Sequence, residues 1–293
     1  MKRNTRQRVN FYFFLLPAII GFSCLTVYPF FSSLSMSFTN RLLYYPGDAK
    51  FVGFKNYIYL LTKFPLFWPA LKNSLIYAFF TVVFSNVLAI ISAILLTRKK
   101  PGCNFFRILY YIPSILPSVA LIIMFSFIFD PSYGIVNKVL MAFGVDSLKL
   151  PLWLSNSESA LSTLIIISLW GFGGKMIIDI AGINAIPSSC YEAASLDGAN
   201  AVQQCFKITL PLLMPSISYG IVTGIISGMQ VFTEVFVGAA SVNFYVPVLY
   251  NLAYTGTYQM GLASAMAWIL FVVTAALLGM NKLFAKLYMP KDY

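Results

Sequence analysis

Residues 191–215, YEAASLDGANAVQQCFKITLPLLMP, form a polar segment in a chain that is 59% hydrophobic and only 10% charged. A soluble protein carries about 25% charged residues, so this composition indicates a surface that faces lipid. The segment is rich in helix-forming residues but is interrupted by Gly198, Pro211 and Pro215. We therefore expect a folded polar loop between two membrane-spanning helices.

Apolar runs long enough to cross a bilayer occur six times in the 293 residues. A spanning helix needs roughly 18 or more such residues, and the alternating short strands of an outer-membrane barrel are missing from the sequence. The sequence predicts an all-α integral membrane protein with one domain over 1–293 and an inner loop over about 183–211. The six predicted spans cover about 11–36, 74–96, 108–129, 160–182, 212–237 and 262–285.

Basic residues cluster beside the predicted spans, although the net charge of +11 could also suit nucleic acid. Cytoplasmic loops of membrane proteins are enriched in Lys and Arg. With the N-terminus inside, 12 basic residues fall on the cytoplasmic side and 7 on the outer side, while Lys175 lies within a span. This predicts a multi-pass protein with both termini in the cytoplasm and no nucleic-acid partner. The cytoplasmic clusters are Lys2, Arg3, Arg6 and Arg8; Arg98, Lys99, Lys100 and Arg107; and Lys282, Lys286 and Lys291.

Residues that would carry catalysis are scarce in this sequence. It contains no histidine, the commonest general base and metal ligand. The fragment GFGGK at 171–175 lacks the first Gly and the final Ser or Thr of a P-loop, and its apolar setting favours close helix packing instead. The four cysteines show no paired spacing, and the nine carboxylates form no obvious catalytic pair. We expect no catalytic residue, no metal site and no ATP hydrolysis in this chain.

The polar loop carries its own helix signals. Ser189 and Glu192 form an S-x-x-E pattern, which predicts a capping box and a short helix that begins near residue 190. Gly198 should end that helix in the left-handed conformation that other residues resist. A second short helix, over about 200–208, is expected to run to Pro211.

One side of the first predicted short helix is made of small or polar residues. Tyr191, Ala194 and Ser195 share that side, with Gly198 beyond them. Such a face suits insertion into a groove on another protein. The residues alone leave two interpretations open, a docking surface and an ordinary capped surface loop.

The pattern E-A-A, three residues, G, nine residues, I-x-L-P resembles the signature of the membrane subunits of binding-protein-dependent ABC importers. FVGFKNYIYLL at 51–61 and GLASAMAWILFVV at 261–273 resemble the sugar-importing branch of that family. QVFTEVFV at 230–237 and LYNLAYTGTYQMGLASAMA at 249–267 resemble the maltose-transporter-type first permease. The signature is matched without departure at Glu192, Ala193, Ala194, Gly198, Ile208, Leu210 and Pro211.

This resemblance implies a type I ABC importer permease fold in a bacterial cytoplasmic membrane. The inner loop would be a coupling helix that docks into a separate cytoplasmic ATPase, where Glu192 would meet a basic residue. ATP and Mg would bind to two copies of that ATPase, so this chain itself needs no cofactor. A second homologous permease and an extracytoplasmic binding protein would complete the assembly. The implied coupling residues are Tyr191, Glu192, Ala193, Ala194, Asp197, Gly198, Ile208, Leu210 and Pro211.

Polar residues of the fifth predicted span, Tyr219, Thr223, Ser227, Gln230 and Glu234, have spacings of 4, 4, 3 and 4. These spacings predict a single helical face. Polar groups in hydrocarbon are costly and should face a wet cavity, although a seam of interhelical hydrogen bonds is the alternative. We favour a substrate pathway, with Glu234 either as a gate residue or simply wetted at the outer end.

Similar sugar permeases border their translocation site with the spans on either side of the coupling loop. For this chain, that resemblance supports Thr223, Ser227 and Gln230. It adds three residues of the fourth span, whose aromatic and hydroxyl groups suit a sugar ring. They are Ser168, Trp170 and Phe172.

Two charged residues lie inside the fourth predicted span. Lys175 and Asp179 are spaced i,i+4 and are expected to neutralise one another. The alternative is that one of them contacts an anionic sugar.

The sequence thus predicts the permease subunit of an ABC importer that moves a carbohydrate, with an oligosaccharide favoured. A glycerol-phosphate or polyol importer of the same family is the first alternative. An ion-driven secondary carrier would usually show discontinuous midplane helices or inverted repeats, and neither is evident in the sequence. A membrane-embedded enzyme is disfavoured because the chain has no histidine.

Overall fold

The computed structural model describes residues 2–45, 47, 49–98, 100–239 and 241–288, without the side chains of 2–10, 148 and 284–288. Lys99 and Lys291 of the predicted basic clusters therefore lie outside the described residues. Within them the regular secondary structure is helical, apart from one antiparallel bridge between Thr39 and Phe51. The prediction of an all-α fold is confirmed.

The helices include three π-helical turns and several short 3-10 turns in addition to the long α-helices. In chain order the α-helices and π-turns are Lys2–Phe22, Ser23–Val27 (π), Tyr28–Ser37, Lys55–Thr62, Phe67–Leu96, Cys103–Ile115, Ser118–Ile128, Ile135–Ala142, Ser157–Leu169, Gly173–Asn184, Ser188–Leu196, Ala201–Gln204, Cys205–Thr209 (π), Leu210–Leu212, Met214–Met229, Thr233–Gly238, Tyr245–Tyr250, Asn251–Thr255 (π) and Met260–Tyr288. The 3-10 turns are Ser147–Lys149, Trp153–Ser155 and Trp170–Phe172.

Four helical stretches of the described chain are long and apolar enough to cross a membrane, and two bent helix pairs raise the number to six. The first span is Phe11–Ser37, the second Phe67–Leu96, the fourth Ser157–Asn184 and the sixth Met260–Leu283. The third and fifth are the bent pairs. By length and composition, the six predicted spans therefore all have counterparts.

The third span, predicted over about 108–129, is a pair of helices and not one continuous helix. Its two helices, Cys103–Ile115 and Ser118–Ile128, meet at an angle of 101°. Leu116 is extended, with φ −72° and ψ 141°, because Pro117 restricts the residue before it and cannot donate a backbone hydrogen bond. The sequence PSILPS at 113–118 carried this signal.

The fifth span departs from the predicted helix over 212–237 at both ends. The helix that ends at Leu212 meets Met214–Met229 at 61°, where Pro215 cannot donate to the carbonyl four residues earlier. At the outer end the helix stops at Met229 and a new one, Thr233–Gly238, starts after Phe232. No Pro or Gly lies at 230–232, so this break has no signal in the local sequence. Burial of Val231 in an apolar cluster accompanies it.

The chain divides into two compact units, Met1–Pro65 with Leu249–Phe271, and Leu66–Val248 with Val272–Tyr293. In the first unit the first span is mostly exposed, as a lipid-facing helix would be. Its end is fixed by Trp268, whose indole N–H donates to Ser33 Oγ at 3.2 Å, and by Asn56, whose amide donates to two backbone carbonyls. The single-domain description of 1–293 stays a prediction.

The second unit is organised around the second span, which packs against the fourth and fifth spans. Gly220, Gly224 and Gly228 are buried at intervals of one helical turn and form the contact surface of the fifth span. A Cβ atom at any of the three would collide with the second span, so glycine permits the close approach. On the second span, Gly220 faces Asn86, Gly224 faces Val82 and Gly228 faces Ala78. The numbers fall on one helix as they rise on the other because the two helices are antiparallel.

Two apolar clusters lie along the second span. The outer cluster contains Tyr77, Ile122, Leu164, Val235 and Phe244, among others. Between the two clusters the second span presents polar residues, and there the unit contains a cavity. The inner cluster consists of Ala89, Ala93, Leu96, Met176, Ile180, Ile183 and Leu213.

Candidate functional site

A cavity of about 660 Å³ opens between the second, third, fourth and fifth spans. Its wall combines hydroxyl groups, an amide, aromatic rings and one charge of each sign. Such a volume is typical of a site for a small molecule. The wall residues with polar or aromatic side chains are Tyr77, Thr81, Ser85, Ser114, Ser118, Ser168, Phe172, Lys175, Ser227, Gln230, Phe232, Thr233 and Glu234.

Five of the eight predicted pathway residues are in this wall, and three are not. Those in the wall are Ser168, Phe172, Ser227, Gln230 and Glu234. Three predicted residues lie outside the wall. The Trp170 ring packs edge-on against Phe125, with ring centroids 5.1 Å apart. Tyr219 is 54% exposed, and the Thr223 hydroxyl donates to the Tyr219 carbonyl. A role in the pathway stays a prediction for all eight residues.

The single helical face predicted for the fifth span is wrong at its outer end. Tyr219, Thr223 and Ser227 belong to Met214–Met229, but Glu234 belongs to the separate helix Thr233–Gly238. Gln230 lies at the break between them and is exposed in the cavity wall. The break, rather than helical periodicity, brings Gln230 and Glu234 to the cavity.

Most hydroxyl groups of the wall donate their hydrogens to their own helices. Thr81 donates to the Tyr77 carbonyl at 2.8 Å, Ser168 to Ile165 at 2.7 Å, and Ser114 to Tyr111 at 2.7 Å. A hydroxyl that donates in this way keeps lone pairs free to accept. The wall is therefore rich in acceptors, which suits a ligand that brings donor hydroxyls.

The second and third spans supply a part of the wall that was not predicted from the sequence. Thr81 and Ser85, one turn apart on the second span, and Ser114 and Ser118, beside the bend of the third, face the cavity. Polar residues one turn apart within an apolar helix were the signal for Thr81 and Ser85, and serines that flank Pro117 in an apolar span were the signal for Ser114 and Ser118.

Lys175 and Asp179 bond to serines of different spans rather than to each other. Lys175 Nζ donates to Ser85 Oγ at 2.8 Å, and Ser216 Oγ donates to Asp179 Oδ1 at 2.6 Å. Among the described residues no salt bridge joins the two charged groups. The two charges still attract one another across one helical turn, so the predicted mutual neutralisation acts through space and not by direct contact.

The inner loop folds into two short helices with a sharp turn between them. Ser188–Leu196 ends at Asp197, and Gly198 has φ 78°, which confirms the predicted left-handed glycine. The amide of Ala199 donates to the Ala194 carbonyl, and that of Gly198 donates to Ser195. These two bonds form a Schellman motif, which satisfies carbonyls that the helix end would leave unpaired.

The capping box lies at a different place from the one predicted. The first helix begins at Ser188 after Pro187 and has no side-chain cap, so Ser189 is already inside the helix and cannot cap it. The second helix begins with a capping box in which the Asn200 side chain accepts from the Gln203 amide and Gln203 Oε1 accepts from the Asn200 amide, both at 2.9 Å.

Side chains hold the two short helices together. Tyr191 OH lies 3.0 Å from Thr209 Oγ1, and the Gln204 amide donates to Ser195 Oγ at 2.9 Å. The predicted coupling residues Glu192, Ala193, Asp197 and Gly198 are exposed, whereas Tyr191, Ala194, Ile208, Leu210 and Pro211 are half-buried. The loop also exposes apolar side chains that the sequence analysis missed: Leu196 (90%), Phe206 (66%) and Val202 (64%).

The described residues include no group of His, Cys, Asp or Glu side chains that could hold a metal ion. All four cysteines, Cys24, Cys103, Cys190 and Cys205, are described and free.

The sequence of this chain is similar to those of known transport proteins. The family described as "Binding-protein-dependent transport system inner membrane component" matches residues 85–289. The probable ABC transporter permease protein YesP of Bacillus subtilis (strain 168) is 40% identical over 270 residues, covering 89% of this chain and 85% of the relative. The arabinooligosaccharides transport system permease protein AraP of the same organism is 31% identical, covering 77% of this chain and 71% of its own.

A solved structure shares the fold at low sequence identity. It is a bacterial alginate ABC transporter in complex with an alginate pentasaccharide-bound periplasmic protein. One of its chains superposes with a TM-score of 0.82 at 22% identity and covers 96% of this chain and 95% of its own. The ABC importer permease fold is thereby confirmed.

Proposed function

This chain belongs to the family of binding-protein-dependent transport system inner membrane components, and we propose that it is the permease subunit of an ATP-driven importer for an oligosaccharide. The family membership makes it a transport component rather than an enzyme. The observation that carries the substrate class is the wall of the cavity. Its acceptor hydroxyls, the Gln230 amide and the Phe172 ring match the hydroxyl rim and apolar faces of a sugar.

Two relatives support the same substrate class. AraP is named for arabinooligosaccharide transport, and the structurally similar alginate transporter was captured with a pentasaccharide on its periplasmic protein. By the same analogy, an extracytoplasmic binding protein would deliver the sugar to this chain and to a second, homologous permease.

The energy source of the proposed importer is a separate pair of ATPase subunits that bind ATP and Mg. Their contact surface is the inner loop, where exposed Glu192 and Asp197 stand beside the exposed apolar side chain of Leu196. Closure of the ATPases on ATP would move the short helices and switch the cavity between inward and outward access. Such coupling requires partners that bind the two states with different affinity.

The decisive experiment is transport by the reconstituted complex of both permeases, the ATPase and the binding protein. Proteoliposomes are supplied with ATP and a panel of labelled oligosaccharides, glycerol phosphate and polyols. The proposal expects ATP-dependent uptake of an oligosaccharide that stops when the ATPase is inactivated by mutation. Preferential uptake of glycerol phosphate or a polyol would overturn the proposed substrate class. Uptake driven by an ion gradient without ATP would overturn the proposed mechanism.

The bent and broken helices weaken one argument against a secondary carrier. Such carriers use discontinuous helices, and the spans of this chain are interrupted at Leu116–Pro117 and at 230–232. The family membership, not helix continuity, is therefore the reason to favour an ATP-driven importer.

We further propose that both termini and the inner loop are cytoplasmic, as the basic clusters indicate. In a variant without the native cysteines, single cysteines at Lys100 and Asn200 should react with a membrane-impermeant reagent only from the cytoplasmic side. A cysteine at Lys149 should react only from outside. Labelling of the Asn200 position in sealed cells would overturn this orientation and the coupling role of the loop together.

A further inference from the structure

One charged group in the cavity wall has no salt-bridge partner in the described part of the chain. Lys175 Nζ donates to Ser85 Oγ at 2.8 Å, which uses one of the three hydrogens of its ammonium group. The other two hydrogens have no acceptor among the described residues, and the side chain lines the cavity. An ionisable group within a span usually marks a substrate or ion pathway, because its burial is costly.

Neither Asp179 nor Glu234 forms a salt bridge with Lys175 in the described part of the chain, although the Asp179 charge, one helical turn away, acts on it. Asp179 accepts a hydrogen bond from Ser216 of the fifth span at 2.6 Å. Glu234 interacts with Tyr77, which lies about two turns before Ser85 on the second span. Glu234 lines the same cavity as Lys175. Lys175 thus presents its positive charge to the cavity among hydroxyl groups, whereas Asp179 is not part of the cavity wall.

The close packing of the spans fixes the position of this amine. A Cβ atom on Gly224 would lie 3.1 Å from Lys175 Nζ, so the glycine leaves the space that the amine occupies. A long lysine side chain that is held by Ser85 and faces Gly224 presents its charge at a defined place. A ligand group that binds there should be anionic and should accept at least two hydrogen bonds.

We propose that the cavity takes a carbohydrate that bears a carboxylate, and that Lys175 binds this carboxylate. The inference rests on the proposed function and names the substrate class of the same cavity. A carboxylate has a single negative charge and two acceptor oxygens, which match one ammonium with two free hydrogens. A phosphate monoester, with a charge of about −1.5 to −2, would call for a second cation. Lys175 is the only basic residue in the cavity wall, within the part of the chain that the structure describes.

The test is uptake by proteoliposomes that hold the complete complex with its binding protein. The substrates are oligomers of galacturonate, glucuronate and mannuronate, their methyl esters, and the neutral oligomers of galactose, glucose and mannose. The parent should take up at least one uronate in preference to its methyl ester and neutral counterpart. Lys175→Gln should lower uptake of that uronate by about tenfold or more, roughly the loss of one charge-assisted hydrogen bond. Uptake of the methyl ester should change little.

Two further variants separate charge from structure. Lys138→Gln removes a positive charge from an exposed helix outside the cavity and should transport as the parent does. Lys175→Arg keeps the charge and should retain the preference for the uronate over its methyl ester, even if Lys175→Gln fails to assemble. Membrane abundance and retention of the ATPase report assembly in each case.

The outcomes distinguish this inference from the proposed function. Uptake restricted to neutral sugars overturns the inference and leaves the importer intact, as does equal loss of charged and esterified substrates in Lys175→Gln. Uronate uptake by Lys175→Gln at the rate of the parent overturns it as well. If no carbohydrate of either kind moves with ATP, the proposed function itself fails.

Discussion

The inner loop and the cavity are held by interactions of very different range. In the loop, the hydrogen bond between Tyr191 and Thr209 joins residues 18 positions apart, and the capping box of Asn200 and Gln203 joins residues 3 apart. In the cavity wall, the bond from Lys175 to Ser85 joins residues 90 apart. The loop is thus specified by local sequence, whereas the cavity exists only once several spans have packed.

Glycines serve both regions, but for different physical reasons. Gly198 has a positive φ, and a Cβ atom there would have nothing within 4 Å, so its requirement is conformational. Gly228 is helical, and a Cβ there would collide with the backbone of Ala78 at 2.8 Å, so its requirement is steric. Substitutions at the two positions should therefore fail in different ways.

The largest effect is expected from Gly228→Val, which tests the packing between the second and fifth spans. The side chain would force the second and fifth spans apart, and overpacking of a tight interface costs typically about 1–3 kcal/mol or more. We expect a marked drop in membrane abundance and in the thermal stability of the detergent-solubilised protein. Gly279→Val is the matched control, since a Cβ at Gly279 has nothing within 4 Å. Equal abundance of the two variants would contradict the packing argument.

The next largest effect is expected from Gly198→Val, which tests the turn between the two short helices of the inner loop. A left-handed conformation costs an L-residue roughly 1–2 kcal/mol, and β-branched side chains resist it most. The second short helix should be misdirected while the spans still insert. We expect normal membrane abundance, weaker co-purification of the ATPase and loss of ATP-dependent uptake.

A conservative variant separates backbone strain from other causes at this turn. Asn tolerates positive φ better than other non-glycine residues, so Gly198→Asn should keep much of the transport that Gly198→Val loses. Transport by Gly198→Val at the parent level would remove the turn from the coupling mechanism.

The same contrast explains what could be predicted from the sequence. The E-A-A pattern and Gly198 identified the loop, and apolar length identified the spans, because both signals are local. The bend at Pro117 also has a local signal, but it was overlooked. The break at 230–232 has no Pro or Gly and coincides with burial of Val231 in a cluster assembled from several spans. Helical periodicity therefore misassigned Glu234 to the face of Ser227.

Packing between spans also decided which polar residues reach the cavity. The glycine face of the fifth span turns toward the second span, and this orientation leaves Tyr219 outside the cavity wall. The contributions of Thr81 and Ser85 follow from the position of the second span at the centre of the unit. A single helix read in isolation cannot supply either fact.

A smaller effect is expected from Gln230→Ala, which tests whether the substrate contacts this part of the cavity wall. The substitution removes one hydrogen-bonding amide from the wall, and a typical hydrogen bond contributes about 0.5–1.5 kcal/mol. This corresponds to a roughly two- to tenfold loss in uptake, with abundance and ATPase retention unchanged. Thr223 is a predicted pathway residue on the same span but lies outside the wall, so uptake by Thr223→Ala near the parent value would confine the pathway to this cavity. If Thr223→Ala loses as much as Gln230→Ala, the pathway extends beyond this cavity.

The smallest effect concerns the two candidate caps of the loop. Asn200 accepts from the Gln203 amide at 2.9 Å, whereas Ser189 lies inside its helix and caps nothing. Loss of an N-cap costs about 1 kcal/mol, so Asn200→Ala should speed amide hydrogen exchange in the helix that begins at Ala201. Ser189→Ala should leave exchange in the helix Ser188–Leu196 nearly unchanged.

This pair of variants decides whether the sequence signature or the geometry locates the cap. Both substitutions replace a polar residue by Ala on the exposed surface of the same loop, so differences in solvation are small. An exchange rate raised several-fold by Asn200→Ala alone matches a free-energy change of about 1 kcal/mol in local opening. A larger response to Ser189→Ala would mean that Ser189 caps the first short helix of the loop in the membrane-bound protein. That helix would then start one or two residues later than Ser188.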